Sequence, residues 1–125
     1  MNDGQDSIFV RTGVDLMKLG DFARSLEEGG EPFLSRLFHQ SEVTGASNER
    51  LAGIFAAKEA AFKAMGLPKG DWHVLEVRHD GDGRPHIVLA PSVRNDSLIS
   101  SDVSISHSGE YVVASVVTLW RGDQT

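Results

Sequence analysis

Ile8 and Val10 alternate with polar neighbours, so the chain opens with a strand that runs to about Leu16. The period then lengthens. Asp21 to Glu28 reads as a helix stopped by Gly29-Gly30, and Pro32 can start another whose apolar positions Phe33, Leu34, Leu37 and Phe38 keep helical spacing. Gly45 interrupts the chain, Ser47 or Asn48 can cap a long third helix, and Gly66-Leu67-Pro68 ends it. From Trp72 the period drops to two. Two β-like runs flank Asp80-Gly81-Asp82-Gly83, a hairpin signal. A short helix or turn is expected from Pro91 to about Leu98, followed by a second hairpin. In it Val103 and Ile105 alternate with Ser104 and Ser106, His107 begins the turn, and a β-branched strand follows Tyr111. Helices first and strands after predict an α+β fold: a single domain, residues 1–125, with an antiparallel sheet covered on one face by the long central helix. Residues 1–6 and 121–125 read as flexible tails.

The long helix carries the stretch FAAKEAAFKAMG, residues 55–66, in which charges stand among core residues. At 100° per residue, Phe55 and Phe62 lie within about 20° of each other. Glu59 falls about 40° to one side, Lys63 about 80°, and Lys58 about 60° to the other. Ala57, Ala60 and Ala64 lie opposite. Two readings follow. Glu59 and Lys63 could be a surface i,i+4 pair worth a few tenths of a kcal/mol. Alternatively, a carboxylate beside phenylalanines needs stronger compensation, which Lys63 and a hard divalent cation could supply.

Composition narrows the classes. The 125 residues include no cysteine, which excludes disulfides, thiolate metal sites and cysteine nucleophiles and suits a reducing cytoplasm. A formal charge of −6 argues against a nucleic-acid partner, and no apolar run is long enough for a membrane helix. Acidity also opposes long-range attraction to an acidic protein.

Two further positions carry candidate chemistry. Asp15 ends the first predicted strand behind Gly13-Val14, where a carboxylate suits either a metal or an ordinary turn. His107, in SISHSGEY, is a loop histidine or a functional one; its neighbour Ser106 points to the other face, so the two are no hydrolase pair.

Gly-Val-Asp-Leu around Asp15, then FAAKEAAFKAMG, then SISHSGEYVVA form an ordered set that resembles the holo-acyl-carrier-protein synthases, the small trimeric branch of the 4′-phosphopantetheinyl transferases. The resemblance spans about residues 8–119; FHQSE and GDGRP add weaker matches. It implies the 4′-phosphopantetheinyl transferase fold and transfer of phosphopantetheine from coenzyme A to a serine of an apo acyl or peptidyl carrier protein, releasing 3′,5′-ADP, in fatty-acid or secondary-metabolite synthesis. Asp15 and Glu59 would ligate Mg²⁺, and Lys63 would stabilise the attacked phosphate. Arg50, Lys58, Lys63, Gly83, Arg84, Pro85, Ser106 and His107 would hold coenzyme A, the last two and the Gly83–Pro85 turn from a neighbouring subunit of a homotrimer.

The chain departs from the family pattern in places. Asp21 stands where members typically carry arginine, Glu28 lies where a base is common, and Ile54 replaces an arginine that helps hold coenzyme A, with Arg50 one turn back. The segment after Pro91 is also shorter than usual. Acidic residues on the carrier-docking helix imply altered carrier choice, with Lys18, Arg24 and Arg36 as partial replacements. The same losses leave open a non-catalytic relative acting as a binding or regulatory subunit.

Overall fold

The computed structural model describes residues 7–68 and 70–122. Strand β1 (Ile8–Lys18) passes without a loop into α1 (Leu19–Leu37), then α2 (Gln40–Val43) and α3 (Asn48–Met65). A 3₁₀ turn (Trp72–Val74) leads to β2 (Leu75–His79) and β3 (Pro85–Leu89), and a second (Pro91–Val93) leads towards β4 (Leu98–Ser108) and β5 (Tyr111–Arg121). The expected short element after Pro91 is thus a single 3₁₀ turn. The α+β expectation holds, but the strands form two antiparallel sheets: β1-β5-β4, and a separate β2-β3 hairpin.

The first strand outruns its predicted end at Leu16 because Met17 and Lys18 still pair with Val112 and Tyr111. The helix that follows is one run bent at Gly30, whose φ of 59° and ψ of −152° break the helical path just before Pro32. The two predicted helices therefore meet at the expected glycine. Ser47 caps α3 by accepting a bond from the Arg50 N–H at 3.1 Å, and Gly66 ends it in the left-handed conformation. Of the expected tails, Arg121 belongs to β5 and the Gly122 N–H donates to the Ser7 carbonyl; the rest lies outside the described residues.

The central helix is enclosed far beyond the one stripe that its phenylalanines implied. From Leu51 to Ala64 every residue is buried except Phe55, Glu59 and Lys63. Ala52, Ala56, Ala57, Ala60, Ala61 and Ala64 have no exposed surface, so the alanine side packs as closely as the aromatic one. A Cβ on Gly13 would sit 2.0 Å from the Ala60 carbonyl oxygen, so β1 and α3 touch backbone to backbone there. Gly13 is needed for space, not torsion. On the aromatic side Phe55 meets Phe22, Phe38 and Trp72, and Phe62 meets Trp72 edge-on.

Beyond α3, the three-stranded sheet presents an open face. Odd residues of β1 point toward α3; Ile8, Val10, Val14 and Leu16 point away and are more than half exposed. Val117 and Tyr111 of β5 continue this apolar surface.

Candidate active site

Phe55, Glu59 and Lys63 recur every four residues, so the unburied positions of α3 over this span form one narrow stripe. Asp15 reaches the same opening from β1, two residues beyond the Gly13 contact. Its position is mid-strand, not the strand end expected from the sequence, and odd-residue orientation turns it to the helix. The Lys63 ammonium donates to the Val14 carbonyl at 2.9 Å and to Asp15 Oδ1 at 3.5 Å, while nearly half of its side chain stays exposed. Asp15 is more sheltered, with 19% exposure. The opening therefore gathers two carboxylates and a lysine.

This donor set fits a hard cation. Asp15 and Glu59 offer carboxylate oxygens, and among the described residues no group of three or more His, Cys, Asp or Glu gathers to enclose a metal. Two carboxylates alone leave most of an octahedral sphere to water and phosphate oxygens, the arrangement magnesium favours.

A second constellation forms around the start of α3. Arg50, His107, Gly83 and Pro85 line one cleft of about 350 Å³, so four positions scattered over nearly sixty residues of chain meet. His107 lies inside β4, which continues through Ser108, rather than at the turn. Its ring stands 3.6 Å from Glu49 Oε1 and packs over Gly53, where an added Cβ would come within 3.6 Å of the imidazole. Ser106 faces the opposite side of β4, toward the open sheet face. Arg84 turns outward and donates to Asp102 Oδ2 at 2.9 Å.

Lys58 stands apart from the other expected ligand-holding residues. Its side chain has no exposed surface, and its ammonium donates to Glu42 Oε1 at 2.7 Å, the Leu37 carbonyl at 2.8 Å and the Trp72 carbonyl at 3.3 Å. The Glu42 carboxylate also accepts from the His39 and Val77 backbone N–H groups. A ligand in solution cannot reach this ammonium. The pair instead ties α3 to α1, α2 and β2. Burial pushes the Lys58 pKa below 10.5 even though Glu42 pulls it upward. Sequence reasoning missed Glu42 as a partner because sixteen residues separate it from Lys58; its presence within the FHQSE match was the available signal.

Known proteins bear out the likeness. The sequence pattern of the 4′-phosphopantetheinyl transferase superfamily matches residues 11–116. The chain therefore belongs to that superfamily of enzymes, in its holo-[acyl-carrier-protein] synthase branch. It is 40% identical to the holo-[acyl-carrier-protein] synthase of Geobacter sulfurreducens, covering 85% of this chain and 94% of the relative. The corresponding enzyme of Koribacter versatilis is 35% identical, with 88% and 98% covered. Among solved structures, the Helicobacter pylori synthase in complex with coenzyme A superposes with a TM-score of 0.80 at 25% identity, covering 86% of this chain and 98% of that one. The Bacillus anthracis synthase, in complex with coenzyme A (3′,5′-ADP), gives 0.75 at 31% identity, with 91% and 99% covered.

Proposed function

We propose that this enzyme transfers the 4′-phosphopantetheine arm of coenzyme A to a serine of an apo acyl or peptidyl carrier protein. The carrier serine oxygen forms a bond to the β-phosphorus, and the bond from that phosphorus to the bridging oxygen breaks. 3′,5′-ADP leaves, and the serine proton passes to a carboxylate or water at the site. The single observation that carries this reading is the open stripe of α3, where Glu59 stands one turn from Lys63 and the Lys63 ammonium reaches Asp15, in a stretch from Leu51 to Ala64 that is buried apart from that stripe.

Asp15 and Glu59 would hold Mg²⁺, which when bound neutralises pyrophosphate charge. Lys63 keeps an exposed ammonium beside Asp15, from which it can reach the attacked phosphate. Phosphoryl transfer needs such charge neutralisation and in-line positioning more than covalent catalysis, which suits a site with no activated nucleophile of its own.

The nucleotide end would lie in the cleft of Arg50, Gly83, Pro85 and His107. Arg50 and Glu59 are nine residues apart, about 13.5 Å along α3 and half a turn around it. The two constellations therefore lie on opposite sides of one helix. A homotrimer that joins the carboxylates of one subunit to the cleft of the next resolves this, and the apolar face of Ile8, Val10, Val14 and Leu16 provides a surface for assembly. Light scattering should give three times the 13.6 kDa chain mass. A monomer fully active at assay concentration would rule out the shared site.

Carrier choice has shifted. Asp21, Glu27 and Glu28 are exposed on α1, and the nearest base, Arg24, is 3.8 Å from Asp21. A partner with an acidic docking helix would meet like charge. The decisive assay is intact-mass measurement of apo acyl and peptidyl carriers after incubation with enzyme, coenzyme A and Mg²⁺. The mass of the arm should appear and should vanish with a chelator. No gain on any carrier would overturn the assignment, and equal turnover of an ordinary acidic fatty-acid carrier would overturn the shifted preference.

A further inference from the structure

Gly83 and Pro85 wall the cleft beside His107, but the residue between them does not. The Arg84 side chain turns the other way, onto β4, where its Nη2 donates to Asp102 Oδ2 at 2.9 Å. A turn that presents its two outer residues to one cleft therefore sends its charged middle residue to a different sheet.

The β2-β3 hairpin shares no ladder with the β1-β5-β4 sheet, and two strands by themselves make a marginal unit. Near the tip of the hairpin the two sheets are held apart by a cleft of about 430 Å³. Pro85 and His86 lie on one wall of it, Ser101 and Asp102 on the other. Side-chain packing cannot set the angle of the tip across an open cleft. The Arg84–Asp102 pair crosses it. Pro85 lines both this cleft and the one beside His107, so a tilt of the hairpin that narrows one widens the other.

Both ends of the pair are fixed before they meet. Asp102 stands within β4 opposite Val117, and its Oδ1 accepts from the Val103 N–H at 2.9 Å, which leaves Oδ2 for the guanidinium. On the hairpin, the Arg84 N–H donates to Asp82 Oδ1 at 3.0 Å, and the Arg84 carbonyl accepts from the Asp80 N–H at 2.9 Å. The Gly83 N–H closes onto the Asp80 carbonyl at 2.8 Å, and His86 stands 3.3 Å from the Asp80 carboxylate. The tip is thus one closed unit that a single tether can aim. More than half of each side chain is exposed, so the pair adds little to global stability and its effect is directional.

We infer that Asp102 is a positioning residue: acting through Arg84, it holds the Gly83–Pro85 turn at the angle coenzyme A requires. The inference rests on the transferase reading above, and it gives Arg84 a different role from the ligand contact that the family resemblance implies.

Titration of the intact protein with 3′,5′-ADP tests it, together with steady-state kinetics on coenzyme A and a carrier that the intact-mass assay shows to be modified. Asp102→Asn and Arg84→Ala should each weaken 3′,5′-ADP about three- to fivefold, the scale of an exposed ion pair. KM for coenzyme A should rise by the same factor with kcat within about twofold, because the turn faces the nucleotide end and not the reacting phosphate. Arg84→Lys should keep most of the affinity, and Arg84→Ala with Asp102→Asn should be no weaker than either single variant. Thermal melts of all four should match wild type, since both side chains are exposed. Weakening in Arg84→Ala alone, with Asp102→Asn unchanged or tighter, would mean that Arg84 grips the ligand itself and would overturn the positioning role. Additive losses, a fall in kcat, or no change in either variant overturn it as well, and all of these leave the transferase reading standing. A wild type that binds neither 3′,5′-ADP nor coenzyme A overturns both.

Discussion

Lys58 and Lys63 are the same residue type on the same helix, five positions and about 140° apart. One is sealed in the core with Glu42 and two backbone carbonyls as acceptors; the other stands at the surface beside Asp15. Their surroundings give them different work. A buried ammonium has exchanged water for three fixed acceptors, so it can hold elements together but cannot move to a ligand. An exposed ammonium is worth little to stability yet can turn toward a phosphate. The lesson applies to Glu59 and Glu42 as well. The carboxylate that neighbours Lys58 in sequence faces outward, and the one that neutralises it comes from another helix.

The comparison breaks most sharply at the outward carboxylate. Glu59→Gln keeps shape and removes charge, so transfer should disappear in the intact-mass assay while the melting curve stays near wild type. A fully active variant would end the metal-ligand assignment. Next comes the core pair. Lys58→Met should cost about 3–5 kcal/mol in urea unfolding because Glu42 is left as a buried, unpaired charge. Lys58→Met with Glu42→Leu should recover most of that loss, and a double variant as unstable as the single one would contradict the pairing.

Lys63→Ala is expected to cut turnover about 10- to 100-fold with less than about 1 kcal/mol lost in stability. The reverse pattern, stable activity and a lost fold, would mean that the two lysines had been assigned each other's roles. Asp21→Arg should raise the rate with an acidic carrier about two- to fivefold at low ionic strength, with the gain fading as salt screens it. A gain unchanged by salt would exclude electrostatics as the barrier.

The smallest effect concerns pH. Because the native Lys58 pKa lies below its ordinary value of 10.5, the unfolded chain binds more protons between those two values. Stability from this group therefore rises with pH through that window. The Lys58→Met, Glu42→Leu protein should lack the rise, and identical pH profiles would remove burial as the dominant influence on Lys58.

Much of the architecture was legible along the chain because local rules were sufficient. Ser47 and Gly66 frame α3, Gly30 marks the bend in α1, and the Asp80–Gly83 run turns the β2-β3 hairpin. Boundaries failed where pairing with distant segments overrode local signals. Tyr111 and Val112 extend β1 past Leu16, and β4 carries His107 inside the strand. The alanine side of α3 also misled, since a helix wheel shows which residues share a side but not that a second layer waits opposite them.

For the site, the ordered residues around Asp15, FAAKEAAFKAMG and SISHSGEY were enough to establish the family and to mark Glu59 and Lys63 as candidates. Residue type, order and spacing are properties of the chain, so no coordinates were required. Burial is not such a property. The sealing of Lys58 against Glu42, the close approach allowed by Gly13, and the meeting of Arg50 with His107 all arise from segments far apart in sequence. Folding alone sets those distances and excludes water from one lysine while leaving it around the other. The physical division is between what side chains can do and which of them solvent can still reach.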